Sequence, residues 1–272
     1  MQETRKRDIR KKADSIRRNL RTSNFGILNL FKECDSLGYK LIRYPLGENA
    51  DLGFTQKKDD DIVIFTNSSI RLSREIFTLA HEIGHAVLHM QEASSFVDNG
   101  ATLSDYSDDA KEQEANYFAA CLLMPDDEIH RFLDLEMIEE SRAGLKAIDI
   151  AKIMSEFNVS FDMVLNRLEN VAIINSAEKA QLDNEKNEAR VRNLLRSAGG
   201  NAALNEPSNV IDIPYEYIEY VIYNYNHGAI PKETLVKALE CYNLSIEDVG
   251  DKIKAPVDDD TDLDDLIGGL ED

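Results

Sequence analysis

Two histidines and a glutamate lie within one five-residue run, HEIGH at 81–85. Four residues apart, His81 and His85 would stand one turn apart on the same face of a helix, so that their imidazole nitrogens can converge on one metal ion. Glu82 follows about 100° further round. That offset sets its carboxylate beside such a metal, where it can take a proton from a bound water, and does not suit a further ligand. The chemistry indicated is metal-assisted hydrolysis. A chance match on an ordinary helix is expected in roughly one chain in a hundred or fewer, so the neighbouring residues decide between the two.

A catalytic zinc takes three protein ligands and leaves a fourth position to water. In a metzincin the third would be a histidine at 91 following a glycine at 88, but the chain has Gln91 and Leu88. The remaining common solution is a glutamate from a second helix. Residues 109–124, DAKEQEANYFAACLLM, offer Glu112 and Glu114. Glu112 shares a helical face with Asn116, which is placed to hydrogen-bond the free ring nitrogen of a ligand histidine and fix its tautomer.

Both segments carry the signals of the elements that must position these groups. Ile76, Leu79, Ala80, Ile83, Val87 and Met90 recur at helical spacing and form a stripe that faces a core, with the histidines off it. Thr66, Asn67, Ser68 and Ser69 are turn and cap residues from which that helix can start. In the second helix Phe118, Ala119, Leu122 and Leu123 read as packing, Ala115 and Ala119 allow a close approach, and Pro125 ends it. Residues 39–44 (YKLIRY) alternate as a strand does, 61–65 (DIVIF) is β-rich, and 52–55 is a third candidate. Together they predict a small antiparallel sheet.

HEIGH at 81–85, preceded by REIFTLA and followed at 112–125 by EQEANYFAACLLMP, resembles the ImmA/IrrE family of zinc metallopeptidases. The resemblance covers residues 23–170. It implies that Glu112, not Glu114, is the third ligand; Glu114, about 200° away on a helix, is expected to be solvated. It also implies a zincin-like core with the sheet beside the HExxH helix, one zinc ion per chain with manganese as the alternative, and a helix-turn-helix-like subdomain. As substrate it implies a helix-turn-helix transcriptional repressor, cleaved to relieve repression in a mobile element or a stress response.

Composition bounds the rest. The formal net charge of −20 over 272 residues argues against generic nucleic-acid binding, which depends on Lys and Arg neutralising phosphates. No apolar run is long enough to span a membrane. Residues 1–21 have no apolar h-region, and Cys34, Cys121 and Cys241 form no C-x-x-C pair, so reduced thiols in a cytoplasm are expected. The basic residues of 1–21 accompany Ile9, Ala13, Ile16 and Leu20 at helical spacing. A helix resting on the catalytic domain is the expectation, and a basic arm for DNA or an acidic partner the alternative.

Residues 147–170 predict helix, turn, helix, with Ser160 capping the second. Asp162, Asn166, Arg167 and Glu169 are poor chemistry for a major groove, so direct DNA binding is not expected. Between the metal helices, 92–108 has a loop composition, with Tyr106 as a candidate oxyanion donor. His89 is assigned to capping or packing. Beyond a charged helix, 197–210 is small, polar and Gly-containing, as a linker is. Three short helices follow, whose tyrosines are expected to pack a small core with wet hydroxyls.

The fold class expected is α+β, mostly helical. Its divisions are a basic N-terminal helix (1–22), a metallopeptidase core (23–142), the helix-turn-helix-like subdomain (143–176), a charged helix and linker (177–210), a helical C-terminal domain (211–255) and an acidic disordered tail (256–272). Two other functions compete: a non-enzymatic regulator binding DNA or protein around a structural metal, and a metal-dependent hydrolase of small peptides.

Overall fold

The computed structural model describes residues 1–58, 60–90, 95–98 and 109–254. Tyr106, the rest of the 92–108 loop apart from one short strand, and the tail from 256 lie outside the described residues. The chain forms two compact units, the first ending at Ile213 and the second beginning at Pro214.

The first unit begins with helix α1 (Glu3–Arg17), whose Ile9 and Ala13 are fully buried. Strands β1 (Tyr39–Tyr44), β2 (Gly53–Lys58) and β3 (Asp61–Asn67) lead into helix α2 (Leu72–Leu88). Strand β4 (Ser95–Asp98) precedes helix α3 (Ala110–Leu123). The sheet order is β1-β3-β2-β4. It is mixed, not antiparallel as the alternation of the strands suggested: β1 runs parallel to β3, from Tyr39↔Ile62 to Tyr44↔Asn67, while β2 is antiparallel to both β3 and β4. The reason lies in the connection from β1 to β2, which leaves room for β3 between them. Asn67 at the end of β3 fixes that crossover by donating to the carbonyls of Gly47 and Asp51 and accepting from the Leu46 amide. Alternation reports which face a strand buries and says nothing of its direction.

Helix α2 is buried along most of its length and packs most extensively on α3. Gly84 permits this, since a Cβ there would come within 3.2 Å of the Ala115 backbone and of Phe118. The 66–69 segment does not cap α2. The backbone carbonyl of Glu206 accepts from the Leu72 amide instead, at 2.8 Å.

Helices α4 (Asp126–Glu136), α5 (Ile138–Ala143), α6 (Ala147–Phe157) and α7 (Phe161–Asn170) follow. Ser160 caps α7, accepting from the Met163 amide at 3.1 Å. Arg167 on α7 is buried and donates to the Met124 carbonyl and Asp126, so its guanidinium is held inside the fold. Asp162 and Glu169 pair with Lys186 and Lys179 of helix α8 (Ser176–Ala189).

Helix α9 (Val191–Ser197) leads into the stretch whose composition suggested a linker. It is instead a strap. Leu204 is fully buried in the main core, and Arg43 and Asp212 exchange backbone hydrogen bonds on the outer edge of β1. Small polar residues suit a strap as well as a flexible linker, because both leave the backbone to make the contacts.

The second unit contains α10 (Glu216–Asn226) and α11 (Lys232–Glu240). Ile218, Val221 and Ile222 pack on Leu235, Leu239 and Val249. Of the tyrosines expected to build this core, Tyr225 packs on it half-buried, while Tyr215, Tyr217, Tyr220 and Tyr223 are exposed. The aliphatic residues at 218, 221 and 222 take the inward stripe of α10, and the rings at 220 and 223 fall on its opposite side.

Candidate metal centre

Helix α2 presents His81 and His85, and α3 brings Glu112 to them. The Nε2 atoms of the two histidines are 2.9 Å apart, and the Glu112 oxygens lie 3.2 Å from His81 Nε2 and 3.3 Å from His85 Nε2. Ligand atoms about 2.0–2.1 Å from a tetrahedral zinc would be about 3.3–3.4 Å from one another. The two nitrogens and the carboxylate are therefore close enough together to take three corners of such a site, a different Glu112 oxygen lying nearest each histidine. Gly84 sets its size, because it lets α3 come close enough to α2 for a glutamate to reach.

The donor chemistry fits as well. Asn116 Oδ1 lies 2.8 Å from His81 Nδ1 and can only accept, which places the ring proton on Nδ1 and leaves Nε2 as a lone pair facing His85 and Glu112. The Glu112 carboxylate faces the two Nε2 nitrogens at 3.2 and 3.3 Å and, when ionised, can only accept or coordinate. An anion, the His81 lone pair and the His85 ring nitrogen thus converge in a buried space, an arrangement that a cation stabilises.

Glu82 is fully buried on the side of α2 that faces β2. Thr55 of β2 donates its hydroxyl to Glu82 Oε2 and lies 3.2 Å from the Glu82 carbonyl. Two residues earlier on the same strand face is Gly53, where a Cβ would come within 2.9 Å of Glu82 Oε1.

Farther along α2, Glu75 is fully buried and takes both arms of Arg43, at 2.8 and 2.9 Å. Thr66 and Ser208 donate to the same carboxylate, and Arg43 lies over the Phe31 ring. This network ties α2 to β1, β3 and the strap.

Glu114 does not point into solvent. Arg5 of α1 grips its two oxygens, at 2.8 and 2.5 Å, and His89 Nε2 lies 3.7 Å from it. Two residues from Glu112, its side chain points away from His81 and His85, and α1 covers that direction. Arg10 and Arg17 also reach α3, through the Tyr117 hydroxyl and the Leu122 carbonyl. His89 is buried, and burial first and His85 second push its pKa down. Tyr106 lies outside the described residues.

Sequence reasoning missed Thr55, Gly53 and the Arg43–Glu75 pair. The signals present were a glycine inside a strand, which marks close approach of another group, and an arginine on the inward face of β1.

Residues 34–169 match a peptidase family described by its IrrE N-terminal-like domain, half of the chain and the stretch that contains His81, His85 and Glu112. The chain belongs to this family. Among relatives, "Uncharacterized immunity region protein 2" of Bacillus phage phi105 is 31% identical over 97 residues, 36% of this chain and 60% of that protein. "Metallopeptidase ImmA" of Bacillus subtilis (strain 168) is 27% identical over 134 residues, 49% of this chain and 71% of that one. The chain thus spans less than two thirds of the phage relative.

Proposed function

We propose that this IrrE-type protein is a zinc-dependent endopeptidase in which His81, His85 and Glu112 hold the metal and Glu82 moves the proton. The observation that carries the proposal is the buried cluster of His81, His85 and Glu112 with a buried carboxylate one residue along α2, in a chain of a peptidase family. A zinc ion held there supplies Lewis acidity for a carbonyl and lowers the pKa of a bound water to about 7. Glu82 takes the proton from the attacking water and hands it to the leaving amine. Asn116 holds the His81 tautomer that offers Nε2.

The substrate is a protein, and we infer a helix-turn-helix repressor whose cleavage relieves repression. The resemblance to the ImmA/IrrE family supports that class, and one relative is described as an immunity region protein. An extended segment can add to the sheet as a further strand. The strap occupies the β1 edge at Arg43, so β4 is the edge we assign to it. A cytoplasmic location suits the three free cysteines, with burial pushing Cys34 up to about 12. No helix among the described residues is long and apolar enough to cross a membrane.

The test incubates wild type, Glu82→Gln and Glu112→Ala with the helix-turn-helix protein encoded nearest the gene, and assays bound metal in parallel. Glu82→Gln is expected to keep one metal per chain and lose cleavage by about 10²–10⁴-fold. Glu112→Ala is expected to lose both, and Glu114→Ala to keep its metal. Metal retained with no effect of Glu82→Gln on activity would make the site structural and the protein a non-enzymatic regulator. Cleavage of short peptides without sequence preference would favour a small-peptide hydrolase.

A further inference from the structure

We infer that Thr55 is a positioning residue for Glu82, fixing which of its two oxygens handles the proton; this rests on the endopeptidase proposed above. Thr55 is fully buried on the face of β2 that meets α2, and its hydroxyl hydrogen is committed to Glu82 Oε2. A hydroxyl has one hydrogen to give, and an ionised carboxylate is the stronger acceptor of the two groups within its reach. Oε2 is therefore held, and Oε1 is the oxygen that proton transfer uses.

Gly53 divides the carboxylate from the other side. It precedes Thr55 by two residues and lies on the same face of the strand. A Cβ at 53 would come within 2.9 Å of Glu82 Oε1, 2.6 Å of the Thr78 methyl and 3.0 Å of the Phe65 carbonyl. Any larger residue would fill the space beside the working oxygen. One strand thus pins one oxygen with a hydroxyl and clears the other by omitting a side chain. Without the pin, the carboxylate can rotate about its last bond and lose the orientation in which the water's proton reaches Oε1 and the leaving nitrogen can recover it.

Thr55→Val keeps the shape of the side chain and removes the donor, whereas Thr55→Ser keeps the donor. Each is compared with wild type for kcat and KM on the helix-turn-helix protein, for bound metal, and for the thermal midpoint of the metal-free protein. The expected result for Thr55→Val is a fall in kcat of about 10–100-fold with KM and metal content unchanged. Thr55→Ser should stay within about threefold of wild type, since a hydroxyl alone restores the hydrogen bond. Wild-type kcat in Thr55→Val, or equal losses in both variants at an unchanged thermal midpoint, would overturn the inference. Loss of activity in step with metal would do so too, by making Thr55 a support of the metal site. A wild type that binds metal and cleaves nothing removes the endopeptidase itself, an outcome the wild-type arm reports separately.

Discussion

Around α2 the protein buries polar groups, and on α10 it exposes aromatic ones. His81, Glu82, His85 and Glu75 are all fully buried, while Tyr215, Tyr220 and Tyr223 each show about three fifths of their surface. Both patterns invert the usual partition of residues, but their costs differ. A buried charge costs several kcal/mol unless it is paired and hydrogen-bonded, and the carboxylates along α2 have specific partners: Arg43, Thr66 and Ser208 on Glu75, and Thr55 on Glu82. An exposed tyrosine costs little and needs no compensation. Removing a partner near α2 should therefore be expensive, and removing an exposed ring on α10 should not.

The largest effect on stability is expected at Arg43. Arg43→Ala leaves the fully buried Glu75 without its countercharge, and losses of this kind run to about 3–5 kcal/mol. Thr66 and Ser208 still donate to Glu75, which favours the lower end of that range. Urea unfolding of Arg43→Ala measures it. Pairing Arg43→Met with Glu75→Leu should recover most of the loss, because apolar groups of similar size can replace a buried ion pair at little cost. A loss under about 1 kcal/mol in the single variant would mean that buried charge near α2 is no more costly than surface charge, and the contrast between the two regions would fail.

The same contrast explains what was legible in the sequence. Spacing within one helix sufficed for His81, Glu82 and His85, since helical geometry fixes their relative directions. Glu112 needed the family resemblance in addition, because nothing in the spacing of α3 says which of two glutamates meets α2. Apart from Asn116, which reaches His81 across 35 positions, the partners supplied from distant segments and named above were not legible. Thr55 reaches Glu82 across 27 positions, Ser208 reaches Glu75 across 133 and Arg5 reaches Glu114 across 109. The parallel pairing of β1 with β3 has the same cause, since it depends on Asn67 folding back onto the 46–51 crossover. On α10 the isoleucine and valine spacing did carry the inward face, and reading the tyrosines as core overlooked that stripe.

Arg5 and Glu114 lie between the two extremes, a pair partly covered by α1 and α3. Arg5→Ala should cost about 0.5–1 kcal/mol, since partly exposed pairs are weakened by solvent. Its pH dependence identifies the pair. The hydrogen bond from Arg5 holds the Glu114 pKa below its ordinary 4.5, so the contribution is complete above that value and is lost as pH falls through the lower, folded one. In Arg5→Ala, the part of the acid stability profile below pH 4.5 should flatten. An unchanged slope there would show that another group holds Glu114.

The smallest effect should come from Tyr220, and it bears most directly on the contrast. Tyr223 stacks on His227 and Tyr215 lies beside Lys252, so either substitution would disturb a local contact. Tyr220 is exposed on the side of α10 opposite Ile218 and Ile222. Tyr220→Ser should leave stability within about 0.5 kcal/mol, the ordinary range for a surface position. Ile222→Ala, two residues along the same helix, removes a side chain from the small core and should cost about 2–5 kcal/mol. Denaturant unfolding of the full chain compares the two, with the fluorescence of the tyrosine-rich second unit as the probe. Equal losses would mean that the rings of α10 are packed as its isoleucines are. A large gap in favour of Ile222 would mean that α10 keeps its tyrosines for something other than its own stability.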